Sequence, residues 1–129
     1  TSYKRLREDA LSVERWNRLH PDDNQRTPRV TELLSEAPGP IVAVTDFMKA
    51  IPDQIARWVP GSFLPLGTDG FGRSDARPAL RRHFEIDAAH IVVGVLSQLA
   101  AEGSIDRAEV LRAIEHYDID ADSIDPRLL

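Results

Sequence analysis

The sequence predicts an α/β domain, a mostly parallel sheet in three layers with flanking helices. Three observations lead there. Ile41-Val42-Ala43-Val44-Thr45 is a continuous, β-branched apolar run between breakers, the pattern of a strand covered on both faces. Phe63–Leu66 is a second short apolar run. Between them Met48, Ile51, Ile55 and Val59 recur at helical spacing, so strand, helix and strand make one βαβ unit with parallel strands.

The remaining elements follow in chain order. Leu6, Ala10, Val13 and Trp16 share one face of a first helix, capped by Ser2 and closed by His20-Pro21. A polar loop over residues 22–29 precedes a short amphipathic helix over 30–36. Asp46 is placed to cap the crossover helix. Pro52 kinks that helix or starts its regular part, and Pro60-Gly61 ends it. Pro65 assigns the second strand to a sheet edge. Beyond it Ser74 or Asp75 can cap a helix carrying Ala79, Leu80, His83 and Phe84. Asp87 caps a longer helix with Ile91, Val92, Val95, Leu96 and Leu99 on its face, ended by Gly103. Asp106 with Glu109 three residues later forms a capping-box-like start for the last helix. From about residue 117 the tail is acidic and irregular. Residues 1–129 thus read as one domain with an acidic C-terminal tail. Two parallel strands do not make a stable sheet, and the chain begins without methionine. The expectation is that the first strands of the sheet precede residue 1, or that another copy supplies the missing pairing.

Composition excludes several classes of function. The 129 residues carry 16 basic and 21 acidic side chains, a net charge of −5. Residues 1–64 balance at 9 of each, so the excess lies in residues 65–129 with 7 basic and 12 acidic. No one-sided basic field suits a phosphate backbone, so no nucleic acid is expected as a partner. No membrane is expected either. The longest apolar run, from Ile91 to Leu96, falls far short of the roughly 20 residues of a span, and Gly94 interrupts it. Cysteine is absent, which excludes disulfides and thiolate chemistry and agrees with a cytoplasmic setting.

No constellation reads as an active site. Gly67-Thr68-Asp69-Gly70-Phe71-Gly72-Arg73 lies between a strand and a helix, as phosphate-cradling loops do. It matches neither G-x-G-x-x-G nor G-x-x-x-x-G-K-[ST], and the competing interpretation is a tight turn needing positive φ at several positions. Asp118, Asp120 and Asp122 imitate the start of a calcium loop, but Ser123 and Leu129 stand where glycine and glutamate belong. His20, His83, His90 and His116 lack the spacing of a zinc pair. There is no G-x-S-x-G elbow. Trp16 and Trp58 sit among apolar neighbours, as core or interface residues do.

Several blocks do carry a resemblance. They are Glu14-Arg15-Trp16-Asn17-Arg18-Leu19-His20-Pro21, Thr45-Asp46-Phe47-Met48-Lys49-Ala50-Ile51-Pro52-Asp53-Gln54-Ile55 and Leu66-Gly67-Thr68-Asp69-Gly70-Phe71-Gly72-Arg73-Ser74-Asp75. Arg81-Arg82-His83-Phe84-Glu85-Ile86-Asp87 and the ending Asp125-Pro126-Arg127-Leu128-Leu129 complete the set. Together with Ile119-Asp120-Ala121-Asp122 just before that ending, in order and in register, they resemble the C-terminal end of the homodimeric bacterial pyruvate dehydrogenases (acetyl-transferring). The resemblance implies a transketolase-like C-terminal domain, the third of three α/β domains. It implies a parent that uses thiamine diphosphate and Mg2+ to decarboxylate pyruvate and acetylate a lipoyl group. The implied partners are a second copy of the parent and the lipoyl domains of the dihydrolipoyl acetyltransferase. In that family a Gly-Asp-Gly motif and a later asparagine hold the diphosphate and its metal. Here Thr68-Asp69-Gly70 and Ser97-Gln98-Leu99 stand instead. No catalytic, cofactor-binding or metal residue therefore carries over, and this chain is expected to bind no cofactor itself. Gly67, Thr68, Asp69, Gly70, Phe71, Gly72 and Arg73 are expected to serve as a structural and interface loop. Two other interpretations stand beside this one: a stand-alone α/β interaction module, and a phosphate-binding regulatory domain that rests on the glycine loop alone.

Overall fold

The computed structural model describes residues 2–70, 72 and 74–129. Helices α1 (Tyr3–Leu19) and α2 (Arg29–Leu34) lead into strand β1 (Ile41–Val44). Helix α3 (Ala50–Asp53) and a 3-10 turn (Ala56–Trp58) connect it to strand β2 (Phe63–Leu66). Helices α4 (Arg77–His83), α5 (Ala88–Ala101) and α6 (Arg107–His116) follow, and a 3-10 turn (Pro126–Leu128) lies near the end.

The strands are parallel, with Ile41 opposite Phe63 and Val44 opposite Leu66. Their pleat sorts side chains into two layers. Leu64 and Leu66 face α5: a Cβ added at Gly94 would lie 3.1 Å and 3.7 Å from them, so glycine sets the close helix–sheet approach. Ile41 and Phe63 face the other way, against a core of Val30, Ile55 and Val59 that Tyr3, Leu6, Leu34 and Trp58 surround. Helix α6 packs on α5. The result is the expected helix–sheet–helix sandwich, with a sheet of two strands among the described residues.

Three local expectations fail, in whole or in part, for identifiable reasons. Strand β1 is covered on both faces but is not fully buried. Ile41, Val42 and Ala43 are half-buried and Val44 is 41% exposed, because the edge away from β2 has no neighbouring strand among the described residues. Nor does Asp46 cap a long crossover helix. The ring of a proline clashes with the carbonyl four residues back when that residue is helical, so Pro52 keeps Met48 out of a helix. Phe47 N instead donates to Thr45 Oγ1 at 3.1 Å in a turn. The helix that forms spans four residues, then tightens as Gln54 N and Ile55 N bond three residues back to Ile51 O and Pro52 O. Finally, neither Ser74 nor Asp75 caps α4. Ala76 occupies that position, and the Asp75 carboxylate accepts from the Ala76 amide at 2.7 Å.

Other caps form as the sequence predicts. Ser2 Oγ accepts from Arg5 N, and Asp87 Oδ1 from His90 N at 3.0 Å. Gly103, at φ +81, ends α5. Asp106 accepts from Ala108 N, but the Glu109 carboxylate pairs with Arg112 and does not return to close a box. Residues 77–101 contain a window apolar enough to cross a membrane, with mean hydropathy 1.4. It comprises two helices broken at residues 84–87, where Glu85 adopts φ +60. The 14 residues of α5 span about 21 Å, short of the ~30 Å hydrocarbon core.

Candidate functional site

The glycine loop emerges from β2 and binds two distant segments. A Cβ at Gly67 would lie 2.6 Å from Phe47 O and 2.9 Å from Lys49 N, so the backbone of the loop runs directly beneath the turn after β1. Thr68 N donates to Phe47 O at 2.9 Å, and Thr68 Oγ1 donates to Asp46 O at 2.7 Å. Asp69 Oδ1 accepts from Lys49 N at 2.9 Å. At Gly70, φ is +114 and an added Cβ would lie 2.5 Å from Pro126 O, which seats the C-terminal 3-10 turn on the loop.

This refines the sequence expectation. Of the described loop glycines only Gly70 has positive φ; Gly67 is required by close approach, and Gly72 has open space around its Cβ position. Asp69 accepts from an amide of the neighbouring turn, so it ties the loop to the segment after β1. Phe71 and Arg73, expected as part of the structural and interface loop, lie outside the described residues.

Between this loop and α4 is a cleft of about 340 Å³ walled by Asp46, Thr68, Gly70, Arg77 and Arg81. An adjoining hollow of about 540 Å³ shares Asp46, Arg77 and Arg81 and reaches Val44 and Ile91. Both lie at the carboxyl ends of the parallel strands. Arg77 and Arg81 stand one helical turn apart, so they share a face. No motif in the sequence marks them as a pair. The available signal was their i, i+4 spacing just after a glycine-rich loop.

Behind α4 a polar cluster ties three segments together. Asp87 accepts from the His90 amide, from His90 Nδ1 at 2.6 Å and from Arg82 Nη1 at 3.2 Å. Burial works to raise the Asp87 pKa, but the His90 amide, the His90 ring and Arg82 outweigh it and hold the carboxyl below its ordinary value. Arg82 Nη2 also donates to Tyr117 O at 2.8 Å and Asp118 O at 2.9 Å, which fastens the start of the tail. The remaining sequence candidates serve packing. Trp16 is sandwiched between His20, stacked at 4.4 Å, and Arg26 at 3.7 Å. Trp58 Nε1 donates to Glu14 at 2.7 Å. His83 and His116 stand edge-on to Phe84 and Tyr117. Asp120 accepts from the Asp122 amide in a local turn. Among the described residues no group of three or more His, Asp or Glu converges as metal ligands would.

Comparison with known proteins places this sequence in a family. The model of the transketolase-like TK C-terminal domain matches residues 2–87. The chain is 48% identical over 120 residues to the pyruvate dehydrogenase E1 component of Mycolicibacterium smegmatis, covering 93% of this chain and 13% of that protein. It is 46% identical over 129 residues to that of Escherichia coli K12, covering 99% and 14%. It is 46% identical over 126 residues to that of Pseudomonas aeruginosa, covering 97% and 14%. The chain thus spans 13–14% of the length of these relatives.

Proposed function

Because this chain belongs to the transketolase-like TK C-terminal domain family, we propose that it is the C-terminal structural and assembly domain of a pyruvate dehydrogenase. The parent would be a cytoplasmic homodimer that uses thiamine diphosphate and Mg2+. It would decarboxylate pyruvate and reductively acetylate a lipoyl group on an acetyltransferase. The observation that carries this proposal is the 46–48% identity over 93–99% of the chain to pyruvate dehydrogenase E1 components.

The physics of the chain supports a scaffolding role. Ile41 N and Thr45 N donate to Ser62 O and Leu66 O of β2, so by strand alternation the amides of Val42 and Val44 point to the open side. On the far side of β2, Pro65 offers no amide, which disfavours pairing there. The edge of β1 carries no such break. There an apolar groove of about 500 Å³, lined by Tyr3, Leu6, Val30, Leu33 and Ile41, flanks the free edge. Such an edge suits further strands of a larger α/β domain.

The described polar side chains of the glycine loop offer nothing to the cofactor's diphosphate or its metal. Asp69, the one carboxylate of the glycine loop, is spent on the Lys49 amide, and the Thr68 hydroxyl on Asp46 O. The electron sink would thus be held by other parts of the parent. The test is the coding sequence upstream of residue 1, followed by purification of the whole product. Several hundred in-frame codons containing Gly-Asp-Gly, and a product that decarboxylates pyruvate only with thiamine diphosphate and Mg2+, support the proposal. A start codon at residue 1, or a full-length product with no such activity, overturns it in favour of a stand-alone interaction module.

A further inference from the structure

We propose that the cleft between the glycine loop and α4 binds a small hydroxylated phosphate monoester, with Arg77 and Arg81 holding the phosphate and Asp46 accepting from a ligand hydroxyl. The inference goes beyond the scaffolding role and does not depend on it. Asp46 and Thr68 each lie two residues past a parallel strand, where open α/β sheets form their binding crevices.

Charge points to the ligand class. Arg82, next to Arg81, spends its guanidinium on Asp87 and on two carbonyls of the tail. Arg77 and Arg81 make no ion pair or hydrogen bond through their side chains with a described residue. They do so in the acidic half of the chain, with 12 carboxylates to 7 basic groups. Two like charges at i, i+4 repel each other, and a dianion between them turns that repulsion into two attractions. Guanidinium groups meet phosphate oxygens in pairs of parallel hydrogen bonds, which favours a phosphate over a single carboxylate.

Shape and the opposite wall narrow the class. A hollow of about 340 Å³ matches a small metabolite and not a protein segment. Among the described residues of that wall, Gly70 and Gly72 bring backbone alone to the cleft. The Asp46 carboxylate has no hydrogen-bond or ion-pair partner among the described residues and lines both hollows. It repels a second anionic group and accepts from a hydroxyl, which selects a hydroxylated monoester over a diphosphate or a dicarboxylate.

The test is calorimetric titration of the full-length polypeptide at low ionic strength. The probes are glycerol 3-phosphate, inorganic phosphate, succinate and a poly-aspartate peptide. Saturable binding of glycerol 3-phosphate is expected. The Arg77→Ala/Arg81→Ala double variant should weaken it by about tenfold or more, equivalent to about 1.4 kcal/mol. Asp46→Asn should weaken glycerol 3-phosphate but not inorganic phosphate. Arg107→Ala, on the distant helix α6, should leave both unchanged. Both arginines are exposed, so the double variant should keep the parental thermal unfolding, and a loss of binding with unfolding unchanged supports the site. Absence of saturable binding, binding indifferent to the arginine pair, or preference for succinate or the acidic peptide overturns it. Equal effects of Asp46→Asn on both phosphates overturn the hydroxyl assignment. Binding is read directly, so none of these outcomes depends on pyruvate turnover.

Discussion

Gly67→Ala, Gly70→Ala and Gly72→Ala should differ, because the structure holds each of these glycines by a different constraint. At Gly67 the new methyl would lie 2.6 Å from Phe47 O and 2.9 Å from Lys49 N, both backbone atoms. Relief requires separating the loop from the 46–49 turn, which breaks the Thr68 N to Phe47 O and Lys49 N to Asp69 hydrogen bonds. Overpacking costs about 1–3 kcal/mol and each hydrogen bond about 1 kcal/mol, so a total loss of about 3–5 kcal/mol is expected. At Gly70 the φ of +114 costs alanine about 1–3 kcal/mol. The contact with Pro126 O at 2.5 Å adds about 1 kcal/mol as the terminal turn is displaced. At Gly72 nothing lies within 4 Å, and the change should stay within about 0.5 kcal/mol. Urea denaturation followed by circular dichroism, at one protein concentration, reads all three. Deleting residues 126–129 should recover the contact part of the Gly70→Ala loss and none of the Gly67→Ala loss. A Gly67→Ala cost below about 1 kcal/mol, or a Gly72→Ala cost equal to it, would refute this account of the loop.

Three further outcomes are expected. Asp87 has a lowered folded-state pKa, so its stabilisation is complete above its unfolded value near 3.8 and is lost as pH falls through the lower folded value. Asp87→Asn keeps a capping oxygen but no charge, so it should lose less stability than the parent chain between pH 7 and pH 3; equal losses count against the network. Asp106→Ala should cost about 1 kcal/mol through the lost cap on α6, measured by the same unfolding curves. The isolated chain should self-associate through β1, and Val44→Lys should shift it toward monomer in sedimentation, since an edge lysine opposes strand pairing. A clean, thermally robust monomer before any substitution would sink that idea.

Local rules carried most of the secondary structure and left most of the loop's role undecided. Strand β1, strand β2 and the Ser2, Asp87 and Asp106 caps were legible because each depends on residues within three or four positions. The crossover helix is shorter than its apolar spacing predicts, because Met48, Ile51, Ile55 and Val59 obey helical periodicity while Pro52 forbids the turn that would join Met48 to them. In the loop, the glycine pattern was visible but its meaning was not. A positive φ and a close backbone approach both call for glycine, and only the distances to Phe47 O and Pro126 O tell Gly67 from Gly70.

The sequence by itself determined the α/β class, the parallel pairing and the family resemblance, because β-branched runs, breakers and ordered blocks of identity are properties of neighbouring residues. Only the tertiary structure decided which residues share the cleft at the ends of the strands. Asp46, Thr68, Arg77 and Arg81 come from three separate segments. Their convergence follows from the parallel pairing of β1 with β2 and from the placement of α4 beside the strand ends. Charge fared the same way. The sequence counts 16 basic residues, but folding alone settles that Arg82 is consumed by Asp87 and the tail while Arg77 and Arg81 are left facing the cleft. The physical reason is that an ion pair depends on a few ångströms of separation between groups from different segments, which spacing along the chain does not fix.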